Sequence, residues 1–370
     1  MRLRHPDGST IHLSYCTNVH AAEDLPGIHG QLSGVAARVR HLLGVERLGL
    51  GLWLSQHAAA DLLAHPGELA GLRERLAALG LEVVTLNGFP YRGFHDEIVK
   101  YRVYHPDWAD AERLQYTLGL AEILAALLPD DVTEGTISTL PLAWRTPWTR
   151  DKAAAVMANL DALAQGLRTL AGRTGKVIRV GFEPEPGCVI EVTPQATALL
   201  SDVDHDYLGL CLDACHMAVG FEEPGAGART GLPIVKLQAS CALEAPPGAQ
   251  QALAAFDEAR FLHQTRSATG YADDLGEALA GGLPADESWR VHFHVPLHAD
   301  PPPPLTTSAP YLRDLLNVLL GGERPLTSHV EVETYTWNVL PGAPADVAEG
   351  IAAELDWMRG QLAALGLKET

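Results

Sequence analysis

The chain has 370 residues, of which 47% are hydrophobic, so it can bury a large core. At roughly 150 residues per domain this length suggests two domains, but barrels of alternating strands and helices often exceed about 250 residues as one unit. With 27 Lys and Arg against 46 Asp and Glu, the chain is strongly acidic. We therefore expect no nucleic-acid surface and no anionic-membrane surface, because both need clustered Lys and Arg.

The cysteines and the N-terminus predict a cytoplasmic protein with reduced thiols. The chain has five cysteines and no CxxC motif, and it is too long to need disulfides for its stability. The first residues, MRLRHPDGSTIHLSYCTNVH, are basic at the start but contain no continuous apolar run, so we expect no signal peptide. Because no apolar stretch reaches roughly 18 residues, we also expect no membrane insertion.

Short β-like segments alternate along the chain with longer segments of helical period. The predicted strands, in chain order, are HLSYCTN (12–18), RLGLGLWLS (47–55), LEVVTLNGF (81–89), EGTISTLPL (134–142), VIRVGFEPEP (177–186), YLGLCLDACH (207–216), PIVKLQASC (233–241), RVHFHVPLH (290–298) and SHVEVETYTW (328–337). Strands rich in Val, Leu and Gly that alternate with helices are typical of parallel sheets in α/β proteins.

Helical period is clearest in the segment that follows Thr149. Its apolar residues recur in steps of four and three, which places them on one face of an α-helix. They are Val156, Leu160, Leu163, Leu167 and Leu170. Thr149 is the predicted N-cap of this helix, and Gly172 is its predicted end.

This pattern predicts an α/β fold, in the form of a (β/α)8 TIM barrel. Eight of the nine strands can close a barrel, and the ninth, RVHFHVPLH, belongs to an excursion between the seventh strand and the last. We therefore predict a single TIM-barrel domain over 1–370, with a long insertion or lid at about 242–327 before the last strand. A doubly wound open sheet is the alternative fold.

Acidic, amide and imidazole side chains follow the later strands at their carboxyl ends, where α/β barrels build their active sites. They are Glu183, Glu185, Asp213, His216, Gln238, Ser240, His292, His294, His298, Glu331 and Glu333. Buried carboxylates need a countercharge, and a divalent cation held by carboxylate oxygens and imidazole nitrogens supplies it. The abundance of histidine favours Zn²⁺ or Mn²⁺, while Mg²⁺, Co²⁺ and Fe²⁺ are also compatible.

These motifs resemble those of the xylose-isomerase-like TIM barrels, the superfamily of sugar and sugar-phosphate isomerases and epimerases that also includes metal-dependent apurinic endonucleases. The resemblance rests on the glutamate that ends VGFEPEP, on LDxxH in CLDACH and on a last strand that ends in VEVET. It implies that Glu183, Asp213 and Glu333 are metal ligands. It also implies that His216 is a metal ligand, as in the nucleases, or a substrate contact, as in the epimerases.

The chain departs from this family on the strand after LDxxH. That strand reads KLQAS and has Gln238 where the family usually has a histidine ligand. Gln238 can ligate weakly through its carbonyl oxygen, or His294 can take over, and both alternatives stay open. The combination of KLQAS, HFHVPLH and ETYTWNVLP resembles the EboE-type metabolite traffic proteins, which are associated with clusters that process or move a small secondary metabolite.

Three sets of site residues are predicted. The metal ligands are Glu183, Asp213, His216, Gln238, His294 and Glu333. The catalytic residues are Glu183, Glu333 and His216. The substrate-binding residues are Asn87, Glu185, His292, His298, Tyr335 and Trp337. Glu331 lies deeper than Glu333 on the last strand, and we expect it either in the site or in a salt bridge at the barrel floor.

The predicted function is that of a metal-dependent isomerase or epimerase-like protein. We expect it to act on a small polyol-like or carbonyl-containing metabolite and to take part in the processing or trafficking of a secondary metabolite. Glu183 and Glu333 exchange a proton with the carbon next to the carbonyl, and His216 holds a substrate oxygen. One alternative is a non-catalytic barrel that binds metal and metabolite, which Gln238 favours. Another is an apurinic-endonuclease-like hydrolase, against which the acidic charge argues. An oligomer is compatible with the sequence.

We expect the insertion at about 242–327 to close over the site as a lid, because it carries the Pro-rich run DPPPPLTTSAP and a histidine-bearing strand. Limited proteolysis should then cut this segment more slowly when Mn²⁺ and a small polyol are present. Equal cleavage with and without these additions would contradict a lid.

Overall fold

The computed structural model describes residues 1–342 and 346–370. Its strands are β1 (Arg2–Arg4), β2 (Thr10–Cys16), β3 (Leu48–Trp53), β4 (Leu81–Asn87), β5 (Glu134–Thr139), β6 (Val177–Phe182), β7 (Leu208–Asp213), β8 (Ile234–Ala239), β9 (Cys241–Ala245), β10 (Thr265–Arg266), β11 (Tyr271–Ala272), β12 (Trp289–Val295), β13 (Thr306–Thr307), β14 (His329–Val332) and β15 (Lys368–Glu369).

The α-helices of the described residues connect and cover these strands. They are α1 (Leu25–Gln31), α2 (Ala37–Leu43), α3 (Gln56–Ala64), α4 (Pro66–Ala78), α5 (Ala111–Leu127), α6 (Arg150–Thr174), α7 (Thr193–Leu200), α8 (Ala214–Val219), α9 (Leu275–Glu277), α10 (Ala309–Leu320) and α11 (Val347–Ala364). Short 3₁₀ helices at Lys100–Tyr104 and Tyr335–Asn338 matter for the site. Within the described ranges, none of the helices is both long and apolar enough to cross a membrane.

Eight parallel strands form a closed barrel. Strands β2 to β8 pair in chain order, and β14 pairs in parallel with both β8 and β2. This closure excludes the alternative of a doubly wound open sheet and confirms the predicted TIM barrel. The barrel strands read as nearly continuous apolar runs because helices cover them outside and side chains fill them inside; β3, β4, β7 and β8 are buried at every position.

The helix predicted after Thr149 is α6, and the apolar residues of its predicted face are buried. The Thr149 side chain caps it by accepting a hydrogen bond from the backbone N of Lys152 at 3.2 Å. The predicted end at Gly172 is wrong. The helix runs three residues further because Gly175, with φ 70°, adopts the left-handed conformation that ends it.

A second sheet is built from the chain between β8 and β14. Its five antiparallel strands lie in the order β11-β10-β12-β9-β13, and only Ser240 separates β9 from the end of β8. The segment RVHFHVPLH contributes β12 to this sheet and not to the barrel, as predicted. The pairing of Val295 with Cys241 holds the end of β12 beside the mouth of the barrel. That this segment is an insertion acting as a lid stays a prediction.

A buried ion pair lies in the barrel interior below the mouth. The Nζ atom of Lys236 is 2.9 Å from Glu331 Oε1, and both side chains are fully buried. This contact settles one sequence alternative, because Glu331 pairs inside the barrel. Gly51 on β3 leaves the space for it, since a Cβ added at Gly51 would lie 1.1 Å from Glu331 Oε2.

We predict that Gly51→Ala strongly destabilises the fold, because the added methyl group must displace the Glu331 carboxylate and break a buried ion pair. Breaking such a pair costs about 3–5 kcal/mol. Urea unfolding should show this loss. Gly71→Ala in α4 is the matched control, since a Cβ there meets nothing within 4 Å; it should be neutral or stabilising by up to about 1 kcal/mol. Similar unfolding midpoints for the two variants would contradict this account.

Candidate metal centre

A cavity lies at the carboxyl ends of the barrel strands, with the second sheet forming part of its wall. Its empty volume is about 520 Å³ and it opens to solvent. The polar lining consists of Asn18, Asn87, Lys100, Tyr104, Glu183, Glu185, His216, His292, His294, Glu333 and Tyr335. The apolar lining consists of Phe89, Pro90, Phe94, Val99, Val103, Phe261 and Leu262. The cavity therefore combines an acidic and imidazole-rich part with an aromatic part.

Three carboxylates from three strand ends meet beside this cavity. Glu183 follows β6, Asp213 ends β7 and Glu333 follows β14, and one oxygen of each lies within 4.8 Å of the others. All three are at most 5% exposed. Glu183 Oε2 and Asp213 Oδ2 have no hydrogen-bond partner among the residues described. Buried like charges with unsatisfied oxygens need a cation to offset them.

Asp213 divides its two oxygens between structure and site. Its Oδ1 accepts hydrogen bonds from the backbone N of His216 at 2.9 Å and from Ser240 Oγ at 2.7 Å. The first of these bonds makes Asp213 the N-cap of α8. The other oxygen, Oδ2, is left without a protein partner in the described part of the chain. One oxygen thus fixes the side chain and the other remains available to a ligand.

Two amides hold Glu333. Asn18 Nδ2 donates to Glu333 Oε1 at 2.7 Å, and Asn87 Nδ2 donates to the same oxygen at 2.9 Å. The backbone N of Phe89 donates to Asn87 Oδ1 at 3.0 Å, which orients that amide. Asn87, predicted to bind substrate, therefore lines the cavity while it positions a carboxylate.

Glu185 is held by partners that sequence reasoning did not find. Tyr104 donates its hydroxyl to Glu185 Oε1 at 2.6 Å, and Gln264 Nε2 donates to the same oxygen at 3.4 Å. Tyr104 comes from a 3₁₀ helix after β4, and Gln264 comes from the second sheet region. No spacing in the sequence marks either residue, because neither lies at the end of a barrel strand: Tyr104 is 17 residues beyond Asn87, the last residue of β4.

Three histidines converge at the side of the cavity formed by β12. His292 Nε2 lies 3.0 Å from His216 Nε2 and 3.2 Å from His294 Nε2. His216 Nδ1 also lies 3.7 Å from Glu183 Oε1. The hydroxyl of Tyr335 is 3.5 Å from His292 Nε2. The structure thus brings His216, His292, His294 and Tyr335 together, although they come from three separate segments.

Burial and mutual repulsion shift the protonation of these groups. Burial raises the pKa of Glu183 well above its usual range, and the charges of Glu333 and Asp213 add to the effect. Burial and the Asp213 charge raise the pKa of Glu333 to about 8. Burial lowers the pKa of His294 to about 4 and that of His292 well below its usual value.

The donor set fits a divalent cation. Carboxylate oxygens from Glu183, Asp213 and Glu333 supply both ligands and countercharge. Gln238 pairs with Asp213 across β7 and β8, is fully buried, and has no partner in residues 1–342 and 346–370 for either its Oε1 or its Nε2. His294 has a ring nitrogen within 4.8 Å of ligand atoms of Asp213 and His216. Both alternatives for the missing family histidine therefore stay open.

Two predicted substrate contacts lie elsewhere. His298 and Trp337 line a separate cavity beside α11, and Trp337 Nε1 donates to Glu354 Oε2 at 3.0 Å. Trp337 lies there because the chain forms a 3₁₀ helix at Tyr335–Asn338. This helix directs Tyr335 into the carboxylate-lined cavity and Trp337 away from it. The structure does not bring His298 or Trp337 to the candidate metal centre.

Comparison with known families identifies the class of protein. The family described as xylose isomerase-like TIM barrel matches residues 43–276. The chain therefore belongs to the xylose isomerase-like TIM barrel family, as the motifs around Glu183 and Asp213 predict. A search of curated protein sequences finds no match.

Several solved structures share this fold. A xylose isomerase-like TIM barrel protein from Mycobacterium smegmatis in complex with magnesium has 15% identity and a TM-score of 0.53, with 98% of this chain and 94% of that chain covered. D-psicose 3-epimerase with D-tagatose from Clostridium cellulolyticum H10 has 13% identity and a TM-score of 0.53, with 95% and 99% covered. The probable 3-DHS dehydratase AsbF from Bacillus anthracis has 13% identity and a TM-score of 0.51, with 94% and 99% covered. At these identities the likeness shows the fold.

We predict that Glu333 makes the metal-free protein less stable as pH rises. Its folded-state pKa of about 8 lies above the usual value of 4.5, so the folded protein binds this proton more tightly than the unfolded chain does. The stability from this proton is present below about pH 4.5 and is lost as pH rises to about 8, with a slope of up to about 1.4 kcal/mol per pH unit. Urea unfolding in chelator from pH 5 to 8 should therefore show a shallower decline for Glu333→Gln than for the wild type. Parallel declines would contradict this assignment.

Proposed function

We propose that this chain is a metal-dependent isomerase or epimerase acting on a small metabolite that carries a carbonyl or neighbouring hydroxyl groups. The observation that supports this most is the meeting of Glu183, Asp213 and Glu333. All three are buried and stand where barrel enzymes place their reacting groups, and Glu183 Oε2 and Asp213 Oδ2 have no hydrogen-bond partner among the described residues. Membership of a family whose structural neighbours include a sugar epimerase adds to it.

Glu183, Asp213 and Glu333 would hold the cation, and Gln238 or His294 would add a further donor. Zn²⁺ and Mn²⁺ suit this mixed set best, and Mg²⁺, Co²⁺ and Fe²⁺ are compatible with it. When bound, such a cation polarises a substrate carbonyl and offsets the charge of the carboxylates.

Glu183 and Glu333 are the groups that would move the proton. Burial raises the pKa of both carboxyls, which makes each carboxylate a stronger base than one exposed to water. Asn18 and Asn87 fix one oxygen of Glu333, which keeps its orientation constant during proton transfer. His216 lines the same cavity beside Glu183 and would hold a substrate oxygen.

The rest of the cavity favours an uncharged substrate with an apolar portion. Phe94, Phe261 and Tyr335 pack against one another along its wall, with ring centroids 4.9–5.5 Å apart. Lys100 is the one Lys or Arg in the lining, within the described chain, and its Nζ lies 2.5 Å from Asp274 Oδ2. A phosphate group would therefore find no unpaired cationic side chain there. A neutral polyol or ketone fits this lining better.

A second candidate is a barrel that binds the metal and the metabolite without turnover. Gln238 favours it, because an amide oxygen is a weaker ligand than the imidazole that the family usually has at this position. The resemblance to the EboE-type metabolite traffic proteins is compatible with either candidate.

We predict that protein purified without chelator carries a bound divalent metal and catalyses deuterium exchange on a substrate carbon. Elemental analysis should show less metal in Asp213→Ala than in the wild type, since Asp213 would be a ligand. In D₂O with a panel of ketoses and other neutral ketones, NMR should show deuterium entering next to the carbonyl. Removing a general base typically costs about 10²–10⁴-fold in rate, so Glu183→Gln and Glu333→Gln should both be slower by that factor.

The matched control is Glu122→Gln, because Glu122 pairs with Arg173 on the outer helices α5 and α6, away from the cavity. It should keep both the metal and the exchange rate. Unchanged exchange in Glu183→Gln and Glu333→Gln would contradict the assignment of these carboxylates. Bound metal with no exchange on any compound of the panel would favour the non-catalytic candidate.

A further inference from the structure

Three buried imidazoles point their Nε2 atoms at one another in the wall of the cavity. His292 Nε2 lies 3.0 Å from His216 Nε2 and 3.2 Å from His294 Nε2. The three residues are at most 4% exposed. An N···N contact of this length is a hydrogen bond only if a proton lies between the two atoms, so the positions of the protons decide what this cluster is.

The partners of the other ring nitrogens fix those protons. His216 Nδ1 lies 3.0 Å from the carbonyl oxygen of Pro184, and His294 Nδ1 lies 2.8 Å from the carbonyl oxygen of Glu333. A carbonyl oxygen can only accept, so both Nδ1 atoms must donate. Each neutral ring then carries its lone pair on Nε2.

His292 follows the same rule through an amide. Its Nδ1 lies 2.7 Å from Gln264 Oε1. The orientation of this amide is set by its Nε2, which donates to the carbonyl oxygen of Pro186 at 3.0 Å. The oxygen of Gln264 therefore faces His292, and His292 Nδ1 must donate to it. All three Nε2 atoms consequently carry lone pairs, and that of His292 faces the lone pairs of both His216 and His294.

Converging lone pairs repel one another unless a cation lies between them. Tyr335 can donate its hydroxyl to His292 Nε2, but only at 3.5 Å, and this leaves His216 and His294 unsatisfied. Zinc binds imidazole at roughly 2.0–2.1 Å with tetrahedral angles, which places ligand nitrogens roughly 3.3–3.4 Å apart. The observed separations of 3.0 and 3.2 Å are close to this value.

We propose that His216, His292 and His294 form a second cation site, which binds Zn²⁺ or a similar borderline metal beside the carboxylate centre. Each ligand donates its second ring nitrogen to an oxygen acceptor, which is the arrangement that orients metal-binding histidines in proteins. Three protein ligands at the edge of a cavity leave a further coordination position for a small molecule. The inference goes beyond the proposed function and does not require turnover.

The two sites differ in the donors they offer. The carboxylate centre has oxygen donors, which suit Mg²⁺ and Mn²⁺ as well as Zn²⁺, whereas three imidazoles favour Zn²⁺ and Co²⁺. Asp213 lies between them, because its ligand atoms are within 4.8 Å both of Glu183 and Glu333 and of His216 and His294. His292 and His294 also lie beyond residues 43–276, the range that the family description matches.

Metal stoichiometry after removal of all metal and reloading with Zn²⁺ tests the proposal. The wild type should bind about two equivalents. His292→Ala should keep only the equivalent at the carboxylate centre, and Glu183→Gln only the one at the histidines. Removing a mere partner of a ligand costs roughly 10–100-fold in affinity, so losing His292 itself should weaken zinc binding at its site by more than about 100-fold. His298→Ala is the matched control, since it follows β12 but lines the other cavity.

The variants separate failure of this site from failure of the carboxylate centre. One equivalent in the wild type that His292→Ala retains would overturn the histidine site and leave the proposed function intact. One equivalent that Glu183→Gln retains and His292→Ala loses would support the histidine site and overturn the carboxylate centre. One equivalent lost in both variants would mean a single mixed site and would overturn a second one.

A measurement on the unaltered protein guards against misfolded variants. X-ray absorption at the zinc edge of the wild type loaded with one equivalent of Zn²⁺ should show about three imidazoles around the metal, because zinc prefers the nitrogen site. Co²⁺ in the same position should give the strong visible absorption of a four-coordinate ion. Zinc surrounded by oxygen alone would overturn the proposal.

Discussion

The pairing of β14 with β2 on one side and β8 on the other is the constraint on which the site depends. It closes the barrel, so that the first and last strands become neighbours. Glu333, one residue beyond β14, then stands within hydrogen-bond reach of Asn18, which follows β2. An open sheet would place these residues at opposite edges, and the three carboxylates could not meet around one point. Barrel closure is thus a condition for the metal centre as well as for the fold.

The closed barrel contains two layers of buried carboxylates, and the layers differ in whether a cationic side chain offsets their charge. In the lower layer, Lys236 offsets Glu331 directly, and Gly51 leaves room for this contact. In the upper layer, Glu183, Asp213 and Glu333 have no such cation among the described residues, and two of their oxygens have no partner at all. The fold can therefore offset the charge of a buried carboxylate with a side chain of its own, as it does for Glu331. The unsatisfied layer at the mouth is what a ligand cation would complete.

Much of the fold and part of the site could be predicted from local sequence patterns. The strand and helix alternation gave the barrel, and LDxxH placed Asp213 and His216 together because their spacing is one helical turn. Partners distant in sequence could not be predicted in this way. Asn18 and Glu333 are 315 residues apart and meet only through closure. Tyr104 holds Glu185 from a 3₁₀ helix that no periodicity marks.

Sequence reasoning about the later residues was least reliable where the barrel strand β14 ends. Tyr335 and Trp337 both lie at the end of the predicted strand 328–337, but the chain forms a 3₁₀ helix at Tyr335–Asn338, which separates the two side chains. The alternation of side chains along a strand does apply to His292 and His294, which lie on the same face of the regular strand β12. Period-two reasoning is valid only as far as the strand extends.

Gln238 stands where the family usually has a histidine, but other elements bring three imidazoles to the same cavity. A site that had merely lost a ligand would leave its remaining imidazoles free to pair with whatever groups lie nearby. Here the Nδ1 atoms of His216, His292 and His294 each meet an oxygen acceptor at 2.7–3.0 Å, and their Nε2 atoms turn toward one another. Holding three rings in this repulsive arrangement costs free energy unless a cation offsets it. The nitrogen donors of the cavity therefore lie on α8 and on the second sheet, whereas β8 contributes only the amide of Gln238.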